Sequence, residues 1–425
     1  MGGVCSEPKL SPPSVHEVVS AAVQTVDVIV VGAGAAGLMC AIEAGRRGRR
    51  VLLLDHADRA GKKILISGGG RCNFTNLGCQ AENFLSENPH FARSALARYT
   101  PADFLALVEQ HGIPYHEKTL GQLFCDGSAQ AIVTMLAREC VAARVQTLLG
   151  LKIAKISPAL AASVDEKHRR SERFVVETSR GSFSSASVVV ATGGLSIPKM
   201  GATGFGYEIA RQFGHRIVPP RPALVPLTLD TADRDRWSEL AGVAIAVACT
   251  AEARRPAPTF REKMLITHRG LSGPAALQIS SFWQPGTSVS VDLAPGVSVT
   301  EGFRTGRTER NRAELTRALK AVLPARFAER WTELHPPPNW RDVSIAEFER
   351  RLHRWEVFPD GTEGFEKAEV TAGGVDTADL VPQTLESRRV PGLYFIGEVV
   401  DVTGWLGGYN FQWAWASGAC AGRVV

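Results

Sequence analysis

Apolar residues near the start of the chain follow two different periods. Residues 27–31 form a β-branched run that ends at glycine, which predicts a buried strand. Over residues 35–47, small and apolar side chains recur on one helical face. Residues 50–54 form a second apolar strand, closed by Asp55. Strand, helix and strand in this order predict a βαβ unit.

The rest of the chain alternates between helical and strand-like patterns. Before residue 195, the predicted elements are helices near 91–110 and 128–143, and strands near 145–156, 173–178 and 183–192. After it, they are strands near 224–229, 242–253 and 287–293, and helices near 275–282, 308–334 and 344–353. A strand over 392–398 and a helix from Tyr409 end the chain.

A segment rich in proline and glycine, residues 197–226, marks a predicted domain boundary. The predicted units are a flexible leader over 1–25, a discontinuous first domain over 26–195 and 368–425, and an inserted domain over 196–367. Within the insertion, Trp331, Trp340 and Trp355 are expected to form a small core, although aromatic rings can also stack on a ligand.

Composition narrows the classes of function. The 425 residues are 44% apolar, which suits a folded protein, and the net charge of +5 does not by itself indicate nucleic-acid binding. No apolar run is long enough to span a bilayer. The eight cysteines are scattered without a CxxC pair, and the histidines form no metal-binding pattern. We therefore expect a cytoplasmic protein without a metal site or a membrane partner.

A glycine motif joins the first predicted strand to the first helix. Gly32 permits a tight turn, Gly34 lets the backbone approach a pyrophosphate, and Gly37 lets the helix pack closely on the strand. The helix N-terminus that follows offers free N–H groups to phosphates. Asp55 stands where a carboxylate accepts hydrogen bonds from ribose hydroxyls. The unit predicts a dinucleotide site.

Two later segments favour FAD over NAD as the dinucleotide. Residues 188–194, a strand that opens into glycines, resemble the second contact segment of glutathione-reductase-type FAD domains. Residues 397–401 resemble their third segment, which faces the ribityl chain and pyrophosphate. Residues 407–408 begin a helix whose N–H groups can stabilise negative charge on a reduced flavin. Three segments in this order predict FAD.

Five stretches together resemble one protein family. They are KILISGGGRCNFTN (63–76), THRGLSGP (267–274), AGGV (372–375), GEVVD (397–401) and GGYN (407–410). They resemble the aminoacetone-oxidase/BaiN-like bacterial FAD-dependent oxidoreductases. The chain departs from that family at Asp55, where Glu is more common, and at residues 124–126, where Phe-Pro is usual.

The resemblance implies an FAD domain split by an insertion, with a substrate cleft between the two. The predicted fold is α/β, a glutathione-reductase-type FAD-binding Rossmann domain with an inserted mixed β-barrel-like plus helical domain. The cofactor-binding residues are predicted to be Gly32, Gly34, Ala35, Ala36, Gly37, Asp55, Lys63, Gly69, Arg71, Thr192, Gly193, Gly397, Glu398, Asp401, Gly407, Gly408, Tyr409 and Asn410.

Three residues are candidates for catalysis. Arg71 offers a fixed fork of donors to an anionic group on FAD or substrate. His268 can face the flavin as acid or base, or equally can hold backbone in its own loop. Asn410 can bond the edge of the flavin ring. A redox disulfide between Cys72 and Cys79 is disfavoured against simple packing, because their spacing differs from that of the active pair in glutathione reductase.

The expected function is FAD-dependent oxidation or reduction of a small organic substrate. The family resemblance implies either oxidation of an amine or aminoketone by O₂, or reduction of a conjugated carbonyl with NAD(P)H as transient donor. No nucleic-acid partner is expected, and the oligomeric state is left open. Two alternatives remain: an FAD-dependent RNA-modifying enzyme, supported by the basic balance and the arginines over 304–312, and a flavin sensor without turnover.

Overall fold

The computed structural model describes residues 23–159, 173–251 and 258–425. Residues 1–22 of the predicted leader lie outside this part of the chain. The boundary of the leader at residue 25 is wrong, because the first strand begins at Gln24 and both Gln24 and Thr25 pair with a neighbouring strand. Among the described residues, no helix is long and apolar enough to cross a membrane.

The described chain alternates between short strands and helices. The strands are β1 Gln24–Val31, β2 Val51–Leu54, β3 Asn73–Asn76, β4 Phe84–Leu85, β5 Tyr115–Glu117, β6 Gln122–Cys125, β7 Gln146–Leu148, β8 Ile153–Pro158, β9 Phe174–Thr178, β10 Gly181–Val190, β11 Ile217–Ala223, β12 Leu227–Thr228, β13 Ala244–Ala251, β14 Thr259–Ile266, β15 Gly270–Ser272, β16 Val289–Asp292, β17 Trp355–Val357, β18 Gly361–Thr362, β19 Val370–Val375, β20 Leu393–Phe395 and β21 Thr403–Gly404. The helices are α1 Ala35–Arg46, α2 Lys62–Ile66, α3 Ala92–Arg98, α4 Pro101–Gln110, α5 Gln130–Ala142, α6 Phe205–Gln212, α7 Thr231–Trp237, α8 Gly273–Ser280, α9 Glu301–Arg304, α10 Arg312–Lys320, α11 Ala325–Leu334, α12 Asp342–His353 and α13 Tyr409–Gly422.

The first sheet has seven strands and confirms the predicted Rossmann-type α/β fold. Its order is β7-β2-β1-β10-β9-β8, and β20 pairs with β10. Strands β7, β2, β1, β10 and β20 run parallel to one another, whereas β9 is antiparallel to both β10 and β8. The central strands are buried on both faces, which explains their continuous apolar runs.

Helix α1 packs on β1 and β2, and helix α13 lies beside α1 and runs in the same direction. A Cβ at Gly418 of α13 would lie 2.4 Å from the carbonyl oxygen of Ala36 in α1, and one at Gly422 would lie 2.5 Å from that of Cys40. Only glycine therefore permits this closeness. Because Gly418 is level with Ala36, the N-terminus of α13 lies about 12 Å beyond the N-terminus of α1.

The inserted segment contains a second, antiparallel sheet in the order β17-β16-β13-β14-β15-β12-β18. The predicted mixture of strands and helices is confirmed, and Trp331, buried in its core, packs with Trp355 at 5.8 Å between ring centroids. The single helix predicted over 308–334 is wrong, because Pro324 separates α10 from α11. Strand β14 was not predicted, because the adjacent charged residues Arg261, Glu262 and Lys263 interrupt its apolar pattern.

The two sheets are joined by a two-stranded antiparallel ribbon of β11 and β19. Helix α6 lies before this ribbon, and its Tyr207, Ile209 and Ala210 pack into the core around the first sheet. The boundary at residue 196 therefore placed α6 on the wrong side, because the proline- and glycine-rich segment that suggested it contains α6 and β11. We propose that the insertion begins and ends at the ribbon.

Candidate functional site

A cavity of about 900 Å³ lies between the first domain and the ribbon. Its walls come from the turn after β1, the end of β2, the segment 61–69, the turn after β10, the segment 201–205, Leu224 and residues 369–370 of the ribbon, and the C-terminal segment 396–414. Chain segments far apart in sequence thus meet around one space, as ligand sites in open α/β sheets generally do.

The turn between β1 and α1 needs glycine at two places for reasons within the protein. Gly32 has φ +112°, and a Cβ there would lie 2.3 Å from the Ala191 carbonyl oxygen. A Cβ at Gly37 would lie 1.8 Å from the Gly32 carbonyl oxygen. Gly37 therefore fulfils its predicted packing role, without itself lining the cavity.

Gly34 has a different reason to be glycine. A Cβ at this position would meet no protein atom within 4 Å, and the residue lines the cavity. The same holds for Gly69 and Gly193, both of which have positive φ. These three positions form a cradle in which backbone can come close to a bound molecule. The cradle fits the pyrophosphate and adjoining groups of FAD.

Two helix N-termini face the cavity. Helix α1 begins at Ala35 and helix α13 at Tyr409, and neither has a side-chain cap. Ala35 and Ala36 line the cavity at one end, and Gly407 and Gly408 at the other. Uncapped N–H groups and the positive helix ends favour negative charge, which FAD supplies as pyrophosphate and, when reduced, at its ring.

Asp55 follows β2 and lines the cavity beside the first of these helices. Its two carboxylate oxygens accept hydrogen bonds from the backbone N–H groups of Ala33, at 2.6 Å, and Ala57, at 2.8 Å. These bonds fix the carboxylate against the β1–α1 turn. Each oxygen keeps a lone pair for another donor, so the position fits a ribose hydroxyl.

A polar cluster closes the middle of the cavity. Lys63 Nζ donates to Glu398 Oε2 at 2.7 Å and to Ser196 Oγ at 2.6 Å. Glu398 Oε1 accepts from the backbone N–H of Thr371 at 2.8 Å. The cluster joins α2, the turn after β10, the ribbon and the C-terminal segment. Lys63 and Glu398 line the cavity as predicted, together with Gly397 and Thr192.

The structure does not bring Arg71 or His268 to the cavity. Positive φ at Gly68, Gly69, Gly70 and Cys72 turns the loop so that Cys72 is buried and Arg71 is exposed. His268 is exposed in the turn before β15. The adjoining Arg269 carbonyl accepts from the N–H of Leu229, beyond β12 and away from the cavity-lining Leu224. The predicted catalytic roles of Arg71 and His268 therefore lack geometric support.

Three predicted residues of the C-terminal segment have other partners. Asp401 is buried away from the cavity, where it accepts from the Glu87 N–H at 2.8 Å, and burial raises its pKa. Tyr409 is buried outside the cavity lining. Asn410 lines the cavity, but its amide holds the turn at Gly404 through bonds of 2.8 and 2.9 Å. Its side chain therefore shapes the turn that precedes α13.

Glu369 is the main residue that the sequence analysis missed. It lines the cavity, and within the described residues its carboxylate has no hydrogen-bond partner. The Glu369 side chain is exposed to the cavity, and desolvation by the surrounding walls raises its pKa, against the opposing effect of the Lys63 ammonium. A glutamate just before a strand is an ordinary surface pattern, so only the tertiary structure identifies it. Gln122 and Trp405 also line the cavity. They too are identified only by the tertiary structure.

The cysteines of the described residues are free thiols. Cys72 is fully buried, and burial raises its pKa to about 12. Cys79 is only partly buried, and its pKa is likewise raised to about 12. Neither thiol is reactive near neutral pH, and neither lines the cavity, so simple packing accounts for Cys72.

These features define the class of the protein, an FAD-dependent oxidoreductase with a Rossmann-type cofactor domain. The chain belongs to the family described as HI0933-like protein Rossmann domain, whose match covers residues 26–424.

Three relatives match nearly the whole chain. The ribosomal RNA dihydrouridine synthase of Escherichia coli is 50% identical over 94% of this chain and 98% of its own length. The enzyme of that name from Haemophilus influenzae is 46% identical over 92% of this chain and 97% of its own. The 3-dehydro-bile acid delta(4,6)-reductase of Clostridium scindens is 32% identical over 93% and 98%.

Proposed function

We propose that this protein reduces uridine to dihydrouridine in ribosomal RNA, with FAD as its cofactor. The observation that carries the proposal is the 50% identity to a ribosomal RNA dihydrouridine synthase over almost the whole of both chains. The proposal favours the RNA-modifying alternative over a small organic substrate. It also reverses the expectation that no nucleic acid is a partner.

The names of the relatives share one kind of reaction. Dihydrouridine arises when the C5–C6 double bond of uracil, conjugated with the C4 carbonyl, gains two hydrogens. The name of the 32% identical relative describes reduction of double bonds conjugated with a 3-oxo group. The proposal therefore keeps the expected type of reaction, reduction of a double bond conjugated with a carbonyl. It changes the substrate from a small organic molecule to a uracil base in RNA. Reduced FAD, when bound, supplies the hydride that adds to C6.

The second hydrogen must reach C5 as a proton, and we assign this step to Glu369. The carboxyl group faces the cavity with no partner among the described residues, and partial desolvation there raises its pKa, which favours the protonated form. A protonated carboxyl near a forming enolate acts as a general acid, and the proton moves from its oxygen to C5. Lys63, held in place by Glu398 and Ser196, is positioned to stabilise the developing oxyanion.

The electron donor is proposed to be NAD(P)H, bound transiently. The chain has no second GxGxxG motif for a permanent nicotinamide site. The donor would therefore enter the cavity before the RNA and leave it free for the base. The two half-reactions can then be measured separately.

The test uses FAD-loaded protein and ribosomal RNA from a strain that lacks this gene. After anaerobic photoreduction, the protein is mixed with the RNA, which is then digested to nucleosides for mass spectrometry. The proposal expects dihydrouridine to appear in step with return of the oxidised flavin absorbance. A flavin that stays reduced in the presence of the RNA, or that is reoxidised only when O₂ is admitted, with no dihydrouridine in the RNA, would reject the RNA reaction. A separate addition of NADH or NADPH to oxidised protein tests the donor.

A further inference from the structure

An exposed hairpin borders the cavity and carries an unusual apolar tip. Strands β5 and β6 are joined by residues 118–121, and Leu120 at the tip is 68% exposed. Leu77, whose backbone N–H donates to the Gly121 carbonyl at 2.9 Å, is 51% exposed beside it. Two large apolar side chains at neighbouring positions are thus exposed to solvent. Exposed apolar surface of this kind is unfavourable unless a partner covers it.

The backbone at this tip is also strained. Leu120 has φ +53°, in the left-handed region that a branched side chain such as leucine rarely adopts. Glycine or asparagine would occupy the position at lower cost. Neither packing nor backbone geometry therefore accounts for leucine here, and strained backbone of this kind is concentrated at functional sites.

The tip is connected directly to the cavity wall. The Asn76 side-chain amide donates to the Leu120 carbonyl at 3.0 Å and to the Gly407 carbonyl at 2.9 Å. Gly407 lines the end of the cavity that adjoins the N-terminus of α13. Gln122 and Phe124 of β6 line the same end. A ligand that projects from this end of the cavity would pass beside Leu120.

Charges around the hairpin suit a polyanion. The Lys118 ammonium lies 5.3 Å from the centre of the Phe124 ring, and Lys118 has no carboxylate partner among the described residues. Arg71 is exposed beside β6, where its carbonyl accepts from the Cys125 N–H, and its guanidinium likewise has no such partner. Two carboxylates also flank the hairpin, where Glu117 accepts from the Gly121 N–H and Asp126 pairs with His116, which leaves Lys118 and Arg71 as the cations without a carboxylate partner there.

We propose that Leu120 is a wedge that enters the base stack of the RNA and holds the target uridine turned out into the cavity, while Lys118 and Arg71 contact the flanking phosphates. The inference rests on the proposed RNA reaction. A base inside a stacked strand cannot reach an enclosed cavity unless it is extruded. Apolar side chains inserted between bases are a known means of stabilising the unstacked state.

The key variant is Leu120→Asn, because asparagine suits the left-handed backbone and should leave the hairpin folded. The control is Val343→Asn in α12, since Val343 is 81% exposed and does not line the cavity. FAD content and photoreduction are measured first on the full-length proteins. Single-turnover dihydrouridine formation is then measured with ribosomal RNA and with a short unstructured oligonucleotide that contains uridine.

The wedge predicts that Leu120→Asn lowers the rate on ribosomal RNA about tenfold or more, with little change on the unstructured oligonucleotide, where no stack has to be opened. Val343→Asn should match the parent on both. Equal loss on both substrates, or no loss on ribosomal RNA, would overturn the wedge while leaving the RNA reaction intact. Absence of dihydrouridine with the parent protein would instead remove the proposed function, and the wedge with it.

The phosphate contacts have their own readout. Lys118→Gln and Arg71→Gln should each reduce the slope of log affinity against log salt for ribosomal RNA by about one, with unchanged FAD content. An unchanged slope in both variants would remove the phosphate contacts. Binding of the parent to anionic phospholipid vesicles that is lost in Leu120→Asn would assign the apolar tip to a membrane surface and overturn its assignment to RNA.

Discussion

Lys63 Nζ lies 2.7 Å from Glu398 Oε2, which joins the segment after the first βαβ unit to the C-terminal segment of the same domain. The contact closes the wall of the cavity between two parts of the chain that are far apart in sequence. Glu398 is fixed from the other side by the Thr371 N–H of the ribbon. The pair therefore sets the relative positions of three walls around the proposed FAD site.

Replacement of Lys63 by methionine should weaken FAD binding. The Lys63 side chain is 40% exposed, so solvent screens the pair and its contribution is about 1 kcal/mol or less. We expect the Kd for FAD to rise up to about fivefold. Fluorescence titration of the apoprotein measures the change. Lys199→Met, which removes an exposed ion pair with Glu366, is the control and should bind FAD like the parent.

Gly34→Val should prevent FAD loading without unfolding the protein. The backbone at Gly34 is extended, with φ −82° and ψ −171°, and a Cβ would meet no protein atom within 4 Å. The valine side chain would instead occupy the space of the pyrophosphate, and we expect FAD binding to weaken at least tenfold. Absorbance of the purified protein and melting of the apoprotein measure the two effects.

The control for that variant is Gly127→Val. Gly127 also has open space around its Cβ position, but it is exposed and outside the cavity lining. The purified Gly127→Val protein should be yellow, because it should still bind FAD. Full FAD occupancy in Gly34→Val would show that the cradle is not the pyrophosphate site.

Glu369→Gln should separate the two half-reactions. Glutamine keeps the shape but has no acidic proton, so transfer to C5 should slow by about 100-fold or more, while photoreduction of FAD is unaffected. In the parent, the step needs the protonated carboxyl. Its rate should therefore fall as pH rises through the raised pKa of Glu369. A pH profile in Glu369→Gln that follows the parent would exclude this residue as the acid.

His215 should make the protein sensitive to mild acid. The ring is buried, with Nε2 2.8 Å from Ser387 Oγ, and burial lowers its pKa. The unfolded chain therefore binds the proton more tightly, and the free energy of unfolding should fall as pH drops through the ordinary value of about 6.5 towards the lowered pKa. Urea unfolding at a series of pH values measures this slope.

His215→Gln should flatten that slope, because it removes the titrating ring. The exposed His90 provides the matched control, and His90→Gln should retain the slope of the parent. An identical pH dependence in His215→Gln and the parent would assign the acid sensitivity to other groups.

The sequence was sufficient where the chemistry is local. A turn as tight as that at Gly32, and the spacing to Asp55, are fixed by a few adjacent residues, so the cofactor motif could be recognised without tertiary structure. Lys63 and Glu398, which the family resemblance predicted to bind the cofactor, lie together at the wall of the cavity.

The sequence did not predict correctly which side chains reach the cavity, because this depends on the direction in which each side chain points. Positive φ at Cys72 turns Arg71 outward, and no residue pattern specifies that turn. Asp401 accepts from a backbone N–H far away in sequence instead of from a ligand. Glu369 lines the cavity only because the ribbon packs against the first domain. In each case a long-range contact determined the role of the residue.

The ribbon of β11 and β19 has a consequence for how this architecture can change. Because the two strands lie side by side, the inserted segment leaves the first domain and returns to it at one place. A single splice at that place could exchange the whole insertion and leave the cofactor domain continuous. Relatives with names as different as ribosomal RNA dihydrouridine synthase and bile acid reductase offer natural donors for such chimaeras. The substrate that each chimaera reduces would then show whether the insertion or the cofactor domain determines substrate choice.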